Sequence, residues 1–158
     1  MSSDTNSTKK DLPSYRVNKL RHGTVIDHLD AGAGLQALAI LRIPDETVCA
    51  VGMNFESGKH GRKDIIKIEG MELSPQEINK IVLFGPHATL SIIRDYELVE
   101  KINVEVPDRI VGVVTCPNPS CITNHEPVTT RFDVMSAEPM RVRCHYCERA
   151  MSRDELVV

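Results

Sequence analysis

Cys116, Cys121, Cys144 and Cys147 are the residues whose type and spacing point most directly to chemistry. They read C-x4-C, a gap of 22 residues, then C-x2-C. Two short cysteine pairs can form two knuckles whose thiolates close a tetrahedral site around one zinc ion. Four sulfurs leave no coordination position for water or substrate, so such a site is structural. A structural zinc points to a small module that depends on it to fold, and to binding or regulation in place of catalysis at the metal. The same four residues could form two disulfides, which need an oxidising compartment. The first ten residues, Met1 to Lys10, contain no apolar run, which argues against a secretory signal. A fifth cysteine, Cys49, would also be left over, so the spacing favours zinc. Cys49 lies in the apolar run 47–51 and reads as a small buried hydrophobe. His125 and His145 flank the cysteines, and with four thiolates available both read as surface residues or outer neighbours of the site.

These cysteines must be positioned by the elements around them. From Arg109 to Thr115 a strand leads into the first knuckle. Segments 128–135 and 140–143 read as β-structure feeding the second. A module of about 50 residues is small for a core to hold alone. Zinc binding worth on the order of 10 kcal/mol would make its folding metal-dependent.

The rest of the chain supplies a separate unit. Residues 1–14 are polar and charged and read as a disordered arm. Beyond them, 15–20 and 23–29 are extended. A short helix is centred on 35–41 and stopped before Pro44. Residues 47–55 and 64–69 follow as strands. Ser74-Pro75-Gln76-Glu77 is the clearest helix start, with a capping serine, a proline at the first position and a glutamate to complete a capping box. That helix carries Ile78, Ile81 and Val82 on one face and is expected to run to Gly85-Pro86. Residues 88–93 and 97–106 return to strand. The order predicts an α+β protein: an N-terminal ferredoxin-like antiparallel sheet with two helices on one face over 15–106, then a small all-β zinc-binding domain over 107–158.

Composition narrows the function classes. The 158 residues are 41% hydrophobic and 26% charged, with net charge −3. No stretch approaches the ~20 apolar residues of a membrane span. Residues 107–158 hold six arginines, no lysine and seven acids. Zinc ribbons that bind nucleic acid neutralise phosphates with basic excess, and this one has none, so a protein partner is the better expectation. The chain has no tryptophan, three tyrosines and three phenylalanines, which gives little to stack bases on. No nucleophile–base–orienter set stands in any motif, so an enzyme is the poorest class. The rival to a regulatory reading is a nucleic-acid-binding zinc ribbon fused to a ligand-sensing domain.

Four stretches together carry a specific resemblance: 23–28 (GTVIDH), 61–69 (GRKDIIKIE), Cys116-Pro117-Asn118 with Cys121-Ile122 and Glu126-Pro127-Val128, and 144–148 (CHYCE). In this order and with this cysteine spacing, the chain resembles the regulatory chains of aspartate carbamoyltransferase from about Tyr15 onward. The resemblance implies a noncatalytic subunit. It implies an N-terminal domain that binds nucleotide effectors, with cytidine triphosphate as inhibitor and adenosine triphosphate as activator. It also implies one structural zinc per chain, in a domain that docks on the separate catalytic chain, and pairing of regulatory chains through their N-terminal domains. The setting implied is cytoplasmic pyrimidine biosynthesis, with no membrane or nucleic-acid partner.

Carried over residue by residue, Lys67 and Lys101 match the two lysines that address the ribose and phosphates of the effector. Asp27 and His28 match a polar pair bordering the site. Val17, Lys19 and Leu20 match the segment lining the base pocket, and Ile93, Tyr96 and Leu98 match its other wall. Ser91 stands where the family carries asparagine, and Lys19 where it carries an apolar residue. Taken alone, Lys67 reads as an outward strand lysine, His28 as an ordinary polar residue and Tyr96 as packing. The glycines and basic residues of 58–63 do not make a phosphate-loop pattern.

Overall fold

The structure is a computed structural model that describes residues 19–58 and 61–157. The arm expected over 1–14, Val17, and most of the strand expected over 15–20 lie outside the described residues.

The N-terminal unit is one five-stranded antiparallel sheet in the order β2-β3-β1-β4-β5. Its strands are β1 (Gly23–Asp30), β2 (Cys49–Ser57), β3 (Gly61–Glu69), β4 (Thr89–Arg94) and β5 (Glu97–Asn103). The helices are α1 (Gly34–Leu41), after β1, and α2 (Pro75–Ile81), after β3. The first four strands follow the ferredoxin-like order, and β5 adds an edge. Alternation in the strands explains the layering. Ile26, Ile66, Ile68, Leu90 and Ile92 point to one face and are buried, with Ala37, Ile40, Leu41 and Ile81 of the helices above them. The opposite face carries Val25, Lys67, Ser91 and Lys101, and among the described residues no helix covers it.

Local rules account for the elements. Ser74 accepts the Glu77 N–H while the Glu77 carboxylate accepts the Ser74 N–H at 2.7 Å, so the expected capping box is formed. α2 stops at Ile81, short of Gly85-Pro86, because residues 82–84 turn inward as Val82, Leu83 and Phe84, all buried. The apolar run there serves a turn into the core, not another helical turn. At Gly23, with φ of +141°, a Cβ would sit 2.0 Å from the Ile68 carbonyl oxygen, so only glycine fits where β1 begins.

Asp64 ties three elements together. Its fully buried carboxylate accepts the Gly34 N–H at the start of α1 (2.8 Å) and the Asn54 N–H in the β2 bulge (2.9 Å). Arg62, two residues earlier, donates to the Asn54 carbonyl at 3.0 Å. Much of the sequence 61–64 is thus explained by structure alone.

The second unit is a four-stranded sheet, β6-β7-β8-β9. Its strands are β6 (Arg109–Val111), β7 (Arg131–Ala137), β8 (Met140–Cys144) and β9 (Ala150–Ser152). β6 is shorter than the strand expected over 109–115, since Gly112 adopts φ +68° and turns the chain out of register. Thr115 then pairs singly with Val157. β9 and the short 3-10 turn Arg153–Glu155 give structure to a tail whose sequence showed only apolar Leu156-Val157-Val158. Phe132, Val142, Met151 and Leu156 fill the core of this unit. Among the described residues, Arg153 pairs with Asp30 at 2.5 Å and His87 Nε2 lies 2.6 Å from Glu138 Oε1, both between the units.

Candidate metal centre and effector face

The loop 116–121 and the β8–β9 turn bring the four expected cysteines together. Their sulfurs all lie within 4.8 Å of one another, with Cys116–Cys147 and Cys121–Cys144 each at 3.8 Å. Zinc–sulfur bonds of about 2.3 Å in a tetrahedron place sulfurs about 3.8 Å apart, so the cluster has the size of a zinc tetrathiolate. Cys116, Cys121 and Cys144 are buried and Cys147 half-buried. The two knuckles are locally braced. Asn124 donates to the carbonyls of Cys116 (2.9 Å) and Asn118 (2.7 Å), and the Cys144 N–H donates to the Arg149 carbonyl (3.0 Å).

The electrostatics of the bare thiols are uneven. Burial, acting against the Asn118 N–H, pushes the Cys116 thiol up to about 12, and burial raises Cys144 as well. Burial also acts on Cys147, but the Arg149 N–H, Asn118 and the neighbouring Cys144 and Cys116 outweigh it and bring that thiol to about 7. A site of this kind gathers its full negative charge only around a cation, which deprotonates coordinating thiols outright. The donor set suits one structural zinc, which when bound supplies a cross-link between the knuckles. His125 and His145 are exposed; His125 Nε2 lies 2.7 Å from the Pro119 carbonyl oxygen, and His145 meets the Tyr146 ring edge-on. Cys49 is half-buried against the core, and its thiol is raised by desolvation.

The uncovered face of the five-stranded sheet gathers most of the other expected residues. Cross-strand partners share a face, and register places Lys67 beside Val25, Val25 beside Ser91, and Ser91 beside Lys101. One row thus runs from Ala50 on β2 through Lys67, Val25 and Ser91 to Lys101 on β5, with its two lysines on β3 and β5. The next row pairs Gly23 with Ile93 and Ile93 with Leu98. Leu98 is 56% exposed and Tyr96 60%, large values for such side chains. Tyr96 sits in the β4–β5 hairpin. Asp95 and Tyr96 both have positive φ (+50° and +65°), as a type I′ turn requires, and the Tyr96 N–H donates to the Arg21 carbonyl at 3.0 Å. Lys19 is exposed and Leu20 half-buried, just ahead of β1.

At the other end of the face, Lys63 contacts Asp27 at 3.0 Å and the Asp27 carboxylate accepts the His28 N–H at 2.7 Å. His28 adopts φ +60° at a β1 irregularity and sets its Nδ1 3.4 Å from the Thr89 hydroxyl. Lys63, Val25 and Thr89 share this face and were not among the expected residues. Strand alternation from Lys67, Ser91 and Asp27 would have found Lys63, Thr89 and Val25 in turn.

Comparison with known proteins agrees with the two-unit layout. Residues 15–105 match the family described as aspartate carbamoyltransferase regulatory chain, allosteric domain, and residues 108–157 match the regulatory chain's metal binding domain. The aspartate carbamoyltransferase regulatory chain of Pyrococcus abyssi is 54% identical over 149 residues, covering 92% of this chain and 98% of the relative. That of Thermococcus onnurineus is 51% identical over 148 residues, with 92% and 98% covered. That of Methanosphaera stadtmanae is 50% identical over 151 residues, with 94% and 97% covered. With the tetrathiolate cluster in the matched metal-binding domain and the sheet in the matched allosteric domain, the chain belongs to the family of aspartate carbamoyltransferase regulatory chains, the noncatalytic subunit of that enzyme.

Proposed function

We propose that residues 15–106 form a domain that senses nucleotide effectors on the uncovered face of its sheet, and that residues 107–158 form the zinc-dependent domain that couples it to the catalytic chain. The observation that carries the sensing role is the row Lys67–Val25–Ser91–Lys101 between an apolar end (Ile93, Leu98, Tyr96) and a polar end (Asp27, His28, Lys63). An apolar wall suits a base, and ammonium groups suit phosphates. Lys19 and Leu20 stand at the same edge as Tyr96, and Val17 completes the base-lining segment in this reading. Effectors of the CTP and ATP type would act by binding two quaternary states unequally. Regulatory chains would pair through their N-terminal domains. Reduced thiols and a biosynthetic role support a cytoplasmic setting. Among the described residues no helix is long and apolar enough to cross a membrane.

The test is reconstitution with the catalytic chain and assay with and without CTP and ATP. The complex should respond to at least one nucleotide, and the regulatory chain alone should transfer no carbamoyl group. Lys101→Ala should weaken effector binding about tenfold, roughly 1.4 kcal/mol, while assembly persists. A complex whose activity ignores both nucleotides would refute the sensing role.

A further inference from the structure

The two units are joined by the chain itself and by ion pairs of different chemistry. Residues 104–108 connect them, and this connection is held at each end. The Val104 N–H donates to the Ala88 carbonyl at 3.0 Å, and the Val134 N–H donates to the Asp108 carbonyl at 2.9 Å. Ala88 stands next to His87, and β7, which holds Val134, leads into the turn that carries Glu138. The contact of His87 Nε2 with Glu138 Oε1 at 2.6 Å therefore closes a ring whose other side is the connection. Both side chains reach solvent, at 45% and 61% exposed, so protons reach the imidazole freely. The contact borders a cleft of about 320 Å³, lined from the first unit by His28, Asp30, Arg62 and Lys63 as well.

We propose that the His87–Glu138 contact is a proton-operated latch between the two units, closed near pH 6 and weakened as pH rises through neutrality. It requires neither an effector nor the catalytic chain. Imidazole is the side chain whose charge changes between pH 5 and 8. An aspartate–arginine pair, the class to which Asp30–Arg153 belongs, keeps both charges over that range. The sign follows from the contact. A charged ring donates at Nε2 to a carboxylate of opposite charge. A neutral ring keeps the bond only in the tautomer with its proton on Nε2, and then without the charge. The closed state therefore binds the proton, and low pH favours it. Around the cleft, Glu138 and Asp30 favour the charged ring while Arg62 and Lys63 oppose it. Lys63 is offset by Asp27 at 3.0 Å, as Asp30 is by Arg153, and Arg62 is exposed to solvent screening. The second ring on the cleft, His28, lies 3.8 Å from Asp27 and 3.4 Å from the Thr89 hydroxyl, contacts that stay within the first unit.

The experiment is an NMR titration of the full-length, zinc-loaded chain from pH 5.5 to 8.5. It follows the His87 ring and the amide of Ala137, which stands beside Glu138 on the other unit. The two signals should move together with one midpoint. The nuclear Overhauser contact between the His87 ring and the Glu138 side chain should weaken about two- to fivefold as the ring loses its proton, the range of an exposed ion pair. In Glu138→Gln, and separately in His87→Gln, the Ala137 response should vanish with one zinc retained per chain. An Ala137 amide that ignores the His87 midpoint, or a cross-peak of constant strength, would overturn the latch. A response that persists in His87→Gln would move the switch to His28 and overturn it equally. Nucleotide sensing stands or falls separately, on the reconstitution assay.

Discussion

At the scale of single residues, Asp64 shows how a motif can carry structure under the appearance of function. In sequence, Gly61-Arg62-Lys63-Asp64 reads as a polar loop beside a strand, and nothing local announces a buried carboxylate. Its partners, the N–H groups of Gly34 and Asn54, lie 30 and 10 residues away, beyond any local pattern. Asp64→Ala would leave two donors without an acceptor, each costing about 1–3 kcal/mol. The expected result is a lowered unfolding midpoint in denaturant with zinc content unchanged; a variant as stable as the parent would show that solvent replaces the carboxylate. The cysteines are the opposite case. Chemistry restricts four thiolates to few arrangements, so their role was legible without coordinates. The uncovered-face residues lie between these extremes. Lys67 and Lys101 came from resemblance, and the 3.0 Å ion pair of Lys63 with Asp27 joins residues 36 apart in sequence.

At the scale of elements, capping rules were legible where both partners are close in sequence. The Ser74–Glu77 box was read directly. Its counterpart, Ser152–Glu155, has the same three-residue spacing but is followed only by the short run Leu156-Val157-Val158, which has no helical periodicity, so it went unread. There the Glu155 carboxylate accepts the Ser152 N–H at 2.8 Å, and that bond, with Arg149 and Arg141 nearby, lowers its pKa from the ordinary glutamate value. The sign follows from linkage: a depressed folded-state value contributes stability above the unfolded value and loses it as pH falls through the folded one. Acidification from pH 5 toward 3 should therefore loosen the Arg153–Glu155 turn, and carboxyl-detected NMR should place the Glu155 midpoint below that of a free glutamate. A midpoint at or above the free value would contradict the cap. β6 and α2 ended early for a related reason: an apolar run specifies burial, but whether a turn or a regular element buries it depends on packing partners distant in sequence.

At the scale of the whole molecule, the two units rest on different foundations. The N-terminal sheet buries a contiguous apolar layer under two helices. The C-terminal module has a small core of Ile110, Val114, Phe132, Met140, Val142, Met151 and Leu156, set beside its sulfur cluster. Chelation by EDTA, or Cys144→Ser, should melt the second unit while the first keeps its cooperative transition, giving two steps in circular dichroism where the zinc-loaded chain is more closely coupled; a chelated chain with an unaltered C-terminal NMR spectrum would count against a structural metal. Fold class and the division into two units were legible because periodicity and cysteine spacing are local signals. The contacts between units were not, since Asp30 and Arg153 lie 123 residues apart. That pair also has a mechanical meaning. Asp30 ends the strand that carries Asp27 and His28, and beyond Asp27 that strand is paired with β3 alone. From His28, which lies in the β1 irregularity, to the tether is a span of two residues, under ~7 Å. If His28 contacts an effector as proposed, the covalent path from it to the metal-bearing unit's tether runs through Leu29 alone, with no loop between.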